Sequence, residues 1–144
     1  MRLQSAVFCI EDTLVERPDA DKVLSILKME GVWLYGVTAL TRDAAEALLR
    51  TAGVADDFRG LITAREAACT LADGTIYEKA MRRLRSEPRD TIVFAGRLDE
   101  LRGAKAAGLR AAAVAGAAEA DEWTTMCAEA DEIVEHYADF LLRG

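Results

Sequence analysis

Aromatic residues are scarce in this chain, at 6% of 144 positions. A core built mainly from rings is therefore excluded. The abundant alanine, with Leu, Val and Ile, must fill the space between helices and a sheet. Cysteine is limited to Cys9, Cys69 and Cys127, and His136 is the only histidine. With an odd cysteine count, no Cys-x-x-Cys and no histidine nearby, neither a disulfide framework nor a zinc site is expected. No apolar run approaches the roughly 20 residues that cross a bilayer. The first residues run straight into a strand-like segment, without a signal-peptide pattern. A cytoplasmic, reducing setting is the expectation. A basic stripe is also missing. The net charge is −7, and the one basic run, Lys79, Arg82, Arg83 and Arg85, is flanked by Glu78 and Glu87. That run reads as a solvated helix face, and neither a nucleic acid nor a membrane is expected as a partner.

What is present is a regular alternation of short buried strands and amphipathic helices. Ala6 to Ile10, Val32 to Thr38, Thr91 to Ala95 and Leu109 to Val114 are continuous apolar runs, the mark of strands covered on both faces. Leu61-Ile62 and Ile133-Val134 read as shorter strands. Between them lie helices that begin after Asp19 and Thr41, both N-cap candidates. Others cover 75–85, 98–107 and 136–142, with Gly31, Gly53 and Gly108 as stops. The pattern predicts one α/β domain over residues 1–144, a three-layer, Rossmann-like parallel sheet with right-handed crossovers and helices on both faces. In such a sheet the ligand crevice lies beyond the carboxyl ends of the central strands. The segments to watch are therefore 9–13, 38–42 and 95–99.

Those segments carry a resemblance. Val7-Phe8-Cys9-Ile10-Glu11-Asp12-Thr13-Leu14-Val15 resembles the first motif of the haloacid dehalogenase-like superfamily, F-D-x-D-G-T-L-V. Tyr35-Gly36-Val37-Thr38 resembles the second motif, a strand ending in Thr or Ser. Gly74-Thr75-Ile76-Tyr77 resembles the end of the third, K-P-x-P-x-I-Y, which puts Leu71 at the lysine position. Val93-Phe94-Ala95-Gly96-Arg97, followed by Ala104 to Leu109, resembles the fourth, V-F-E-D-S followed by A-A-x-x-A-G-M. The four fall in order along nearly the whole chain. The resemblance implies the superfamily's core fold. The intervals Leu14 to Thr38 and Thr38 to Leu71 are too short for the cap domain that many members insert, so the crevice should be open.

The resemblance also implies a chemistry that the residues here contradict. In the superfamily the first Asp is the nucleophile, the second the general acid and base, and the lysine steadies both nucleophile and phosphate. The Thr or Ser holds the transferred phosphoryl group, and Mg²⁺ is bound by the first Asp and the acids of the fourth motif. In this chain those positions are Cys9, Glu11, Leu71, Thr38 and Ala95-Gly96. Magnesium requires hard oxygen ligands, and of the usual side-chain ligands none remains. Neither Mg²⁺ nor another cofactor is expected. Loss of nucleophile, metal and lysine together should abolish phosphoryl transfer, since one member of a coupled set alone can be worth on the order of 10⁴–10⁶ in rate.

The expectation is a non-catalytic domain with a binding or regulatory role, with a protein partner or a second copy over the open crevice. The alternative is a divergent hydrolase acting through Glu11, Asp12 or Cys9. Candidate ligand contacts are Asp12, Thr13, Thr38, Ala39, Arg42 and Arg97, because hydroxyls, helix-terminal N–H groups and guanidinium groups hold anions without a metal. Cys9 is expected at the strand tip as a small apolar residue, or as a thiolate should Arg42 or Arg97 reach it. Asp99 and Glu100 are expected to face solvent or the helix dipole.

Overall fold

The computed structural model describes residues 3–139. A six-stranded, all-parallel sheet runs in the order β3-β2-β1-β4-β5-β6. The strands are β1 (Ser5–Cys9), β2 (Trp33–Thr38), β3 (Phe58–Thr63), β4 (Thr91–Ala95), β5 (Arg110–Val114) and β6 (Glu132–Val134). The helices are α1 (Ile10–Thr13), α2 (Ala20–Met29), α3 (Arg42–Thr51), α4 (Ala64–Ala67), α5 (Gly74–Arg83), α6 (Leu98–Ala106) and α7 (Ala120–Glu129).

Strand order dictates where the helices lie. From β1 to β3 the chain steps one way across the sheet, and α2 and α3 cover one face. It then returns past β1 to β4 and steps the other way. Right-handed crossovers place the later helices, α5 to α7, on the opposite face. Two cores result. Phe8, Ile10, Leu24, Leu49 and Phe94 belong to the first, and Val7, Cys9, Tyr77, Leu101 and Met126 to the second. The order reverses between β1 and β4, so the loops after these strands border the crevice where ligands bind in such sheets. No domain is inserted between Leu14 and Thr38 or between Thr38 and Leu71. Among the described residues no helix is long and apolar enough to cross a membrane.

The local signals act largely as expected. Thr41 accepts a hydrogen bond from the Ala44 N–H at 3.2 Å and starts α3. Gly31, Gly53 and Gly108 have positive φ just past helix ends. Asp19 differs. It stands at the start of α2 with φ of 67° and makes no side-chain cap; its carboxylate pairs with Lys22 at 3.3 Å instead. Ile10 does not extend β1 but opens the short α1. Helix α7 was not anticipated, and β3 is longer than Leu61-Ile62. The helix expected at 136–142 lies outside the described residues from position 140 on.

Phe8 anchors the first core. Its ring stacks on Phe94 at 4.4 Å and meets Phe58 edge-on at 6.0 Å. Deleting a ring so enclosed leaves a cavity that a sheet cannot close. Phe8→Ala should cost about 3–5 kcal/mol in urea unfolding. A loss below about 1 kcal/mol would show that the sheet does not depend on this cluster.

Candidate functional site

At the carboxyl end of the sheet, the loops after β1, β2 and β4 meet. Their contacts are made by carboxyl groups of the chain itself. The Thr38 hydroxyl donates to Glu11 Oε1 at 2.7 Å, and the Ala39 N–H donates to Glu11 Oε2 at 2.9 Å. Thr38 Oγ1 in turn accepts from the Leu40 N–H at 3.0 Å. The hydroxyl and N–H that follow β2 form an anion cradle, and both of Glu11's oxygens sit in it.

Cys9 does end β1, but its side chain is fully buried in the core on the α5 side of the sheet. Its Sγ lies 3.8 Å from the Tyr77 hydroxyl. Burial, and next the Glu100 carboxyl, push its thiol well above the ordinary range. A thiol without a cation stays protonated and unreactive at neutral pH. Neither arginine supplies that cation. Arg42 forms a fork on Glu66 at 2.8 and 2.9 Å, and Arg97 Nε bonds Glu122 at 2.9 Å. Both candidate anion contacts are thus engaged with carboxylates. Leu71, at the lysine position, is buried, and its carbonyl accepts the Tyr77 hydroxyl. Thr13 is buried and donates to the Cys9 carbonyl at 2.8 Å, tying the β1 loop to its strand.

The loop after β4 corrects one expectation. Glu100 does not face solvent; it is 2% exposed. From the first turn of α6 it turns back and accepts from the Gly96 N–H at 2.9 Å and the Arg97 N–H at 3.2 Å. The helix-dipole contact is therefore present, but buried. Burial first, then a hydrogen bond with the Asp12 side chain, raise Glu100 far above its ordinary 4.5. Glu100 therefore keeps its proton at neutral pH. Gly96 closes the gap further. A Cβ there would lie 2.4 Å from the Asp12 carbonyl oxygen and 2.7 Å from its Cβ. The fourth-motif loop rests directly on the first-motif loop.

The inward role of Glu100 was the feature least visible beforehand. A glutamate three residues into a helix often bonds back to the backbone before it, so Arg97-Leu98-Asp99-Glu100 carried half of that signal. The missing half is a Ser, Thr or Asp at position 97.

A family model of the haloacid dehalogenase-like hydrolases matches residues 3–108. The chain belongs to that family. No curated protein matches the sequence. Among solved structures, CbbY from Rhodobacter sphaeroides in complex with phosphate is 26% identical with a TM-score of 0.76, covering 86% of this chain and 55% of that one. A haloacid dehalogenase-like family protein from Streptococcus pneumoniae is 18% identical with a TM-score of 0.74, covering 88% and 58%. The core domain of a provisionally assigned phosphoglycolate phosphatase from Streptococcus pneumoniae TIGR4 is 15% identical, with a TM-score of 0.73. There the coverage is 99% of this chain and 96% of that one. The chain thus spans just over half the length of the first two and nearly all of an isolated core domain.

The Mg²⁺ ion that the family implies does not fit the residues present. Cys9 offers a buried thiol, and Ala95 and Gly96 offer no side-chain oxygen. Glu100, buried and held well above its ordinary range, is a neutral acid at physiological pH and a poor ligand for a hard cation. Among the described residues, no three His, Cys, Asp or Glu side chains converge on a metal position. The Gly96–Asp12 contact also leaves no room for an aspartate at 96. Gly96→Asp should therefore destabilise the fold, by about 1–3 kcal/mol for overpacking, and calorimetry should show no Mg²⁺ binding. A variant as stable as the parent that binds Mg²⁺ would contradict this packing.

A second expectation concerns pH. Native Glu100 keeps its proton through neutral pH, whereas in the unfolded chain it loses it near its ordinary 4.5. Between those points the native state holds more protons, so its stability falls as pH rises. Glu100→Gln keeps the acceptor oxygen, donates to Asp12 and cannot ionise. In urea unfolding the variant should gain on the parent steadily from about pH 5 to pH 8, with the difference smallest near pH 4. A difference that does not change with pH would show that Glu100 is an ordinary carboxylate.

Proposed function

We propose that this haloacid dehalogenase-like domain is catalytically silent and serves as a binding or regulatory module. Its setting is cytoplasmic, and a protein partner or a second copy of the chain lies over the open crevice. The observation that carries this reading is the seat of Glu11. Its carboxylate takes the Thr38 hydroxyl and the Ala39 N–H, donors placed to hold a phosphoryl group. The CbbY structure is in complex with phosphate; in this chain an internal carboxylate satisfies the Thr38 and Ala39 donors. An incoming phosphate would have to displace a carboxylate tethered to the same domain. It would then meet neither a metal, a lysine nor a carboxylate nucleophile, and metal neutralisation is the main device of phosphoryl transfer.

The second reading, a divergent hydrolase, draws on one feature. Glu100 carries a carboxyl with a strongly raised pKa next to Asp12, and a neutral acid of this kind can act as a general acid. Glu100 is committed to two backbone N–H groups and is buried, so it is a poor shuttle to solvent.

Turnover and binding separate the two. With an aryl phosphate and Mg²⁺, the parent chain should give no rate above buffer, and Glu11→Ala should not restore one. Orthovanadate titrated calorimetrically should show no binding to the parent and measurable binding to Glu11→Ala, whose cradle is free. Parent turnover that vanishes in Glu11→Ala or Cys9→Ser would overturn the proposal.

A further inference from the structure

The other end of the sheet holds a feature that the crevice does not explain. Where β1, β2 and β3 begin, a cavity of about 760 Å³ opens beside Trp33, Arg59, Arg83, Leu84 and Arg85. Among the described residues, three arginines line it and no carboxylate does. The chain has 25 acidic residues against 18 Lys and Arg, so this local excess runs against its overall charge. Five arginines elsewhere, Arg42, Arg82, Arg89, Arg97 and Arg102, pair with glutamates, whereas Arg17, Arg50, Arg65 and Arg110 are scattered and none of them lines this cavity. Among the described residues, Arg59, Arg83 and Arg85 form no salt bridge. Three guanidinium groups around one hollow repel one another, and an anion placed among them would relieve that repulsion.

The geometry narrows the class of anion. The Arg59 guanidinium lies 3.6 Å over the Trp33 ring, in cation–π contact. Trp33 nevertheless remains 44% exposed, one of few large apolar side chains left open. Arg83 Nη1 donates to the Tyr35 hydroxyl at 2.9 Å, which fixes its direction. The site thus offers several planar forks suited to phosphate oxygens, next to a flat aromatic surface suited to a ring. Its volume falls within the roughly 300–1,000 Å³ usual for small-molecule sites.

We propose that this cavity binds a nucleoside polyphosphate, the phosphates among Arg59, Arg83 and Arg85 and the base against Trp33. It lies at the opposite end of the strands from Glu11 and Thr38, so ligand binding there needs nothing from the family crevice and stands apart from the proposed function. It would give a catalytically silent domain something to sense.

ADP, pyrophosphate and adenosine, each titrated separately by calorimetry and by tryptophan fluorescence, test this. ADP should bind saturably at one site, more weakly as salt rises. Pyrophosphate, lacking the ring, should bind at least about tenfold more weakly, and adenosine, lacking charge, weaker still. Arg59→Ala combined with Arg85→Ala should weaken ADP at least about tenfold at an unchanged melting temperature. Should that pair not fold, Arg85→Gln alone, at an exposed position, should weaken ADP measurably. Thr38→Val should leave ADP binding unchanged. No saturable ADP binding up to millimolar concentration would overturn the proposal. So would equal affinity for pyrophosphate, wild-type affinity in the arginine variants, or loss of binding in Thr38→Val.

Discussion

The carboxylate of Glu11, held by the Thr38 hydroxyl and the Ala39 N–H, is the contact on which the carboxyl end of this domain is organised. It ties the loop after β1 to the loop after β2 by two hydrogen bonds to one charged group. Such bonds are about twice as strong as neutral ones. With that loop fixed, Asp12 lies against Gly96 and within reach of Glu100. The third loop is thereby clamped to the first. The three loops at this end are joined by a set of internal contacts.

The substitutions support one another physically. At fully buried position 9 a carboxylate would be a charge with no cationic side chain beside it, which is costly. Cysteine there is a small apolar residue, packed with Tyr77 in the second core. An acid at 96 would have no space, and glycine permits the loops to touch. Glu100, near the loop, is kept neutral first by burial and then by its neighbour Asp12, while it holds the loop's N–H groups. The family's fold is retained because it rests on the two hydrophobic cores and the strand order, and neither depends on the catalytic groups.

Much of the fold was legible because buried parallel strands leave continuous apolar runs. Thr91–Ala95 matches its run residue for residue. Edges were harder. Phe58, Arg59 and Gly60 in β3 are only partly covered and lack an apolar signature. Helix α7 escaped notice because Met126 is its one buried residue, which leaves no stripe to detect. At the site, the identities of Cys9, Leu71 and Gly96 could be read directly from the motifs. Their directions could not. A strand covered on both faces gives no alternation to show which core a side chain enters, so Cys9 read as a small apolar residue at the strand tip with a crevice thiolate as its alternative. The bridge from Glu11 and the inward turn of Glu100 are tertiary contacts between distant segments, and single residues carry no pattern for them.

The central claim is that an internal carboxylate occupies the anion cradle. The amide proton of Ala39 reports on it directly, since that N–H donates to Glu11. In an NMR titration of the intact chain with inorganic phosphate and Mg²⁺, the Ala39 amide signal should stay in place while Glu11 holds it. A saturable shift of that signal would mean that phosphate enters the cradle, and would contradict the account.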